Sequence, residues 1–99
     1  MNGQLRAIAE LDRVIHEPGR LMIVALLSGL EECDYRYLVH ETEMNKGTLS
    51  SHLTRLEEAG YLQMEKTFRG KVPRTLLRLT ASGRQAFEDY RAKLKESLR

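Results

Sequence analysis

The sequence predicts a mainly α-helical domain carrying one small β-hairpin, and three observations predict it. Apolar residues recur at spacings of three and four along most of the chain, two short runs of alternating parity flank Gly70, and a further helical seam, Phe87, Tyr90, Leu94 and Leu98, follows them. With 41% hydrophobic and 30% charged residues, the 99 positions suit one domain, 1–99, with a single core.

Leu5, Ile8, Leu11 and Ile15 mark a first amphipathic helix, expected to end near His16 because Pro18 disfavours helical geometry in the residue before it. Pro18 suits the first turn of a second helix, about Pro18 to Ser28. That helix is apolar nearly all round from Leu21 to Leu27, which marks it as central, and Gly29 ends it. A short third helix, about Asp34 to Glu41, is expected to turn Tyr37, Leu38 and Val39 inward and to lead into a tight turn.

The stretch MNKGTLSSHLTRLEEAGYL, from Met44 to Leu62, then specifies a helix over 45–59. Asn45 is a good N-cap, Met44 and Leu49 are spaced as a hydrophobic staple, and Gly60 is a left-handed terminator. Its seam is Leu49, Leu53 and Leu56. In the hairpin, Leu62, Met64 and Phe68 share one parity, Thr75, Leu77 and Leu79 share another, and residues 69–73 make the turn. Thr80 caps the last helix.

Ser and Thr are poor helix formers, yet opposite the leucine seam lie Gly47, Ser51, Thr54 and Glu58, flanked by Thr48, Ser50 and Arg55. Such a short, thin face permits close approach by another surface. Beside it, residues 66–78 hold Lys66, Arg69, Lys71, Arg74 and Arg78 without an acid. The rest of the chain is then at −3, 11 basic against 14 acidic residues, so the net charge of +2 conceals a basic hairpin.

A helix, a tight turn, a second helix and a basic hairpin form the layout of a winged helix-turn-helix, here with extra N- and C-terminal helices, and the partner this predicts is double-stranded DNA. A major groove about 12 Å wide admits a helix whose outward residues are small. Gly47, Thr48, Ser50, Ser51 and Thr54 meet that condition, Lys46 adds charge at the helix N-terminus, and Arg55 suits a bidentate contact to guanine or phosphate.

The segments HEPGRLMIVALL, MNKGTLSSHLTRLEEAGYL, TFRGKVPRTLLRLT and LTASGRQAF also resemble the short winged-helix DNA-binding regulators related to the MarR and ArsR groups, over about residues 10 to 98. The resemblance implies a homodimeric transcription regulator. It places the wing, with Arg69, Lys71 and Arg74, at the minor groove or backbone, and residues 1–16 and 81–99 as dimerisation helices. Leu5, Ile8 and Leu11 at one end and Tyr90, Leu94 and Leu98 at the other are the apolar residues to spare for that interface, and a two-fold dimer would read an inverted repeat. ArsR-like metal sensors carry a cysteine pair near the start of the helix before the recognition helix, whereas this chain has only Cys33 there.

Other classes have weaker support. The longest apolar run, Leu21 to Leu27, is too short to span a bilayer and follows no cleavable signal pattern, so no membrane association and a cytoplasmic location are expected. No nucleophile with a base, carboxylate pair, phosphate loop or metal spacing points to an enzyme, a cofactor or a metal, and no small-molecule effector is specified. Acids beside Cys33 argue against a reactive thiol, and His52, next to the leucine seam, reads as a packing residue. The Ser/Thr face also fits a merely solvated surface, and the basic hairpin a charged edge that discourages strand pairing. Phe87, Tyr90, Leu94 and Leu98 also fit the monomer core, with Leu94 and Leu98 the better interface candidates. The alternative function is a winged-helix protein-protein interaction module.

Overall fold

The computed structural model describes residues 3–98, so positions 1, 2 and 99 of the expected terminal helices lie outside the described residues. In chain order the elements are α1 (Gly3–Ala9), α2 (Pro18–Ser28), β1 (Cys33–Asp34), α3 (Tyr35–Thr42), α4 (Lys46–Glu58), β2 (Leu62–Arg69), β3 (Val72–Leu79) and α5 (Ala81–Ser97). The three strands form an antiparallel sheet in the order β1-β3-β2.

Helix α2 begins where Pro18 placed it. The Glu17 carboxylate accepts from Arg20 N at 2.7 Å as the N-cap, and Ile23, Val24 and Leu27 are fully buried among α3, α4, α5 and β3. Its apolar character does not mean burial all round, because Met22 and Ala25 face outward. At its far end Arg84 of α5 donates to the carbonyls of Ser28 and Leu30, at 3.3 and 2.8 Å, and so satisfies acceptors that a helix terminus leaves open.

The first helix is shorter than its periodicity predicts, ending at Ala9 instead of near His16. Asp12 is the cause: its Oδ1 accepts from Val14 N and Ile15 N at 2.8 and 3.2 Å, offering the backbone a turn in place of the helix ladder. Leu11 and Ile15 still reach the core from that turn, which Tyr61 secures by donating to the other Asp12 oxygen.

Strand β1 goes unseen in the sequence because two residues cannot show an alternation. It pairs Cys33 with Leu77 and Asp34 with Leu76. In α3, Tyr37 points outward at 45% exposure, while Tyr35, Leu38 and Val39 pack on the core. At about 100° per residue, positions 35, 38 and 39 share a face that position 37 opposes.

The hairpin also corrects its expected turn. Pairing continues to Phe68 with Pro73 and Arg69 with Val72, leaving only Gly70 and Lys71 as the loop. Gly70 takes φ 64, the positive value that a two-residue hairpin loop requires. Pro73 is tolerated because β1 flanks β3 only at Leu76 and Leu77, so the outer part of β3 has an open side.

Where the wing rejoins α5, Thr80 Oγ1 accepts from Gly83 N at 3.0 Å and donates to the Gly60 carbonyl at 2.6 Å. A Cβ on Gly83 would lie 2.2 Å from the Tyr61 carbonyl oxygen, so the close seating of α5 on the turn between α4 and β2 depends on glycine at that position.

Candidate nucleic-acid interface

The Asn45 side chain caps α4 by accepting from Thr48 N at 2.8 Å, and Met44 packs on the core beside it. Leu49, Leu53 and Leu56 are buried. The seven residues singled out on the other face, Lys46, Gly47, Thr48, Ser50, Ser51, Thr54 and Arg55, are all exposed. Among the described residues none of their side chains is engaged in an ion pair or hydrogen bond. A Cβ on Gly47 would meet only Asn45 Oδ1 among the described residues, at an ordinary 3.5 Å, so no close approach there requires that glycine.

His52, by contrast, turns inward to the start of α2. Its Nδ1 lies 3.4 Å from Arg20 Nη1 and its Nε2 3.8 Å from Glu17 Oε2. A Cβ on Gly19 would come within 2.5 Å of the imidazole. The hydrogen bond from Arg20 N, aided by the nearby His52 and Arg20 charges and opposed by burial, holds the Glu17 carboxyl below the usual carboxylate range. His52 thus sets how α4 sits on α2.

The wing divides into free and committed cations. Lys66, Arg69 and Lys71 are exposed and unpaired among the described residues. Arg74 is half-buried, its Nε 3.2 Å from Asp34 Oδ2 in an orientation that makes no hydrogen bond. Arg78 lies 2.6 Å from Glu65 and 3.4 Å from Glu32. Sheet register explains both pairings: Asp34 and Glu65 stand opposite Leu76, one diagonal step from the arginines on either side of it. The field of segment 66–78 is therefore weaker than its acid-free sequence suggests. A shallow cleft lined by Tyr35, Ser50, Thr54, Lys66 and Thr75 joins the wing to the outward side of α4 and adds Tyr35 and Lys66 to the candidate surface.

The apolar residues expected between subunits fall into three groups. Leu11 and Tyr90 are 4% exposed and belong to this chain's own core, Tyr90 within 2.8 Å of His16 Nδ1 through its hydroxyl. Ile8 and Leu94 are half-buried against that core. Leu5 and Leu98 are open, at 53% and 69% exposure, on α1 and at the end of α5, which pack along each other. Cys33 is buried, and burial first, then Asp34 and Glu32, push its thiol up to about 11, which keeps it protonated at neutral pH. Among the described residues no three His, Cys, Asp or Glu side chains are grouped to hold a metal ion, and no helix is long and apolar enough to cross a membrane.

A family model described as a winged helix DNA-binding domain matches residues 20–98. The chain is 37% identical over 79 residues to an uncharacterized protein of Methanocaldococcus jannaschii, covering 79% of this chain and 85% of that one. Among solved structures, a transcriptional regulator homologue from Pyrococcus horikoshii OT3 superposes with a TM-score of 0.88 at 22% identity, covering 94% of each chain. A MarR-family transcriptional regulator from Silicibacter pomeroyi gives 0.67 at 21% identity, over 97% of this chain and 62% of that one. At these identities the superpositions establish the fold.

Proposed function

This chain belongs to the winged helix DNA-binding domain family, and we propose that it is a sequence-specific transcriptional regulator that binds double-stranded DNA as a homodimer. The observation that carries this reading is the face of α4: seven exposed small or basic residues, none with a side chain engaged in a hydrogen bond or ion pair among the described residues. Small side chains let the α4 backbone enter a major groove, and Arg55 supplies the bidentate contact. Arg69 and Lys71 neutralise phosphates at the adjacent backbone or minor groove, with a smaller share from Arg74, whose charge Asp34 already offsets.

One helix and one wing make few contacts, whereas a two-fold pair offers two helices to grooves about 34 Å apart and reads an inverted repeat. Leu5 and Leu98, with the outer edges of Ile8 and Leu94, are the apolar groups left for that pairing.

Selection of bound duplexes from a random pool tests the DNA reading, and an inverted repeat is the expected product. Leu98→Asp, an exposed change, should give a folded monomer by light scattering and weaken operator binding at least about tenfold through loss of the second half-site. An unmodified chain that is monomeric at tens of micromolar defeats the dimer. Failure to retain any duplex at low salt would instead favour a protein-protein interaction module.

A further inference from the structure

Three apolar residues crowd the outer end of the wing. Phe68 is 68% exposed, Val72 50%, and Pro73 is also open. A single exposed apolar side chain is ordinary on a protein surface. Here the three occupy the last two rungs of the hairpin, Phe68 opposite Pro73 and Val72 opposite Arg69, with Lys66, Arg69 and Lys71, unpaired among the described residues, around them. The nearby acid, Asp34, is engaged with Arg74.

Phe68 and Pro73 share a face with Lys66 and Thr75. Lys66, Thr75 and Tyr35 line the cleft against Ser50 and Thr54 of α4, and the same three line the adjoining hollow that ends at Phe68 and Pro73. The aromatic ring is thus the far end of one continuous concave surface that starts at the recognition helix. A hairpin closed by two residues has a narrow tip, with only Gly70 and Lys71 beyond the Arg69–Val72 rung, so Phe68 projects close to the end of the wing. Pro73 lacks an N–H, so this end of the wing is poorly suited to recruiting another strand.

We propose that Phe68, backed by Pro73, is an apolar wedge that the wing seats at a base step in the minor groove, flanked by phosphate contacts from Arg69 and Lys71. The inference rests on the DNA-binding reading above. Partial unstacking kinks the duplex and costs least at pyrimidine–purine steps, so the wedge gives the protein a preference at positions that α4 never touches.

The test uses the full chain and the duplex it selects, with 2-aminopurine at the pyrimidine–purine steps flanking the α4 contacts. The unmodified protein should raise 2-aminopurine fluorescence and bend the duplex in a circular-permutation mobility assay. Phe68→Ala should lose both signals and weaken binding about tenfold with its salt slope unchanged, because it removes stacking and no charge. Lys71→Ala should keep both signals and lower the slope by about one unit. A Phe68→Ala protein that binds, brightens and bends as the unmodified one does overturns the wedge and leaves the DNA reading standing. A change of oligomeric mass in Phe68→Ala would assign the patch to a second copy of the chain and also overturn it. If the unmodified chain retains no duplex, the DNA reading falls and takes the wedge with it.

Discussion

Helix α4 and the β2–β3 wing both turn a polar, basic surface outward, yet they differ in how much of it is already spoken for. The seven residues singled out on the outward face of α4 have no side chain engaged among the described residues, while two of the wing's five cations are held by acids. The cause is geometric. Side chains on the outer face of a helix diverge from its axis, and of those on α4 Ser50 and Thr54 border another element, across the cleft shared with Tyr35, Lys66 and Thr75, without a hydrogen bond or ion pair among the described residues. In a sheet, each outward residue has cross-strand and diagonal neighbours a few ångströms away, and register decides who they are. Charge counted along a strand therefore overstates the field that a partner meets, whereas the outward face of α4 can be counted as it stands.

The most disruptive test of this contrast is Ser51→Glu. If α4 is the surface that enters the groove, a carboxylate there should weaken DNA binding by about 100-fold or more, since a misplaced like charge at an interface costs several kcal/mol. The melting temperature should stay within a few degrees, because Ser51 is exposed and such changes usually cost under about 0.5 kcal/mol. Anisotropy titration alongside a thermal melt reads both. Full affinity in this variant would move the DNA surface away from α4.

Free and committed cations of the wing should separate next. Lys71→Ala should lower the slope of log K against log salt by about one unit, the signature of one neutralised phosphate. Arg74→Ala should lower it by clearly less, since Asp34 already offsets that charge. Equal slopes for the two variants would mean that the pairing seen in the free protein does not survive on DNA.

The same distinction separates what the sequence reveals from what it conceals. The Asn45 cap, the Leu49–Leu53–Leu56 seam, the Pro18 start and the Thr80 cap depend on residues within one turn of each other, so spacing alone exposes them. The outward face of α4 is legible for the same reason. Strand β1, the neutralisation of Arg74 and Arg78, and the burial of Leu11 and Tyr90 depend on what distant segments bring, and no local pattern carries that information. Two features lie between. Asp12 inside an apolar periodicity was a readable warning of a helix break, and Gly83, a poor helix former in the first turn of α5, signalled close packing without saying against what.

The smallest expected effect is the most diagnostic of the wing. Asp34 has two roles: one oxygen caps α3 by accepting from Arg36 N at 2.8 Å, and the other faces Arg74 Nε at 3.2 Å. Asp34→Asn keeps a side-chain oxygen for the cap and removes the charge, so it isolates the second role. Both partners are about one-third exposed, so losing the ion pair should cost little stability, within the roughly 0.2–1 kcal/mol typical of such pairs. With Asp34 neutral, Arg74 joins Lys66, Arg69 and Lys71 as a fourth cation not held by an acid among the described residues. DNA affinity should then rise about threefold at low salt, with a steeper salt slope, an effect that adding Arg74→Ala should erase. If Asp34→Asn instead weakens binding, the carboxylate positions Arg74 for the phosphate it meets. Commitment within the sheet and contact with DNA would then be one arrangement, and the contrast between wing and helix would not extend to the bound state.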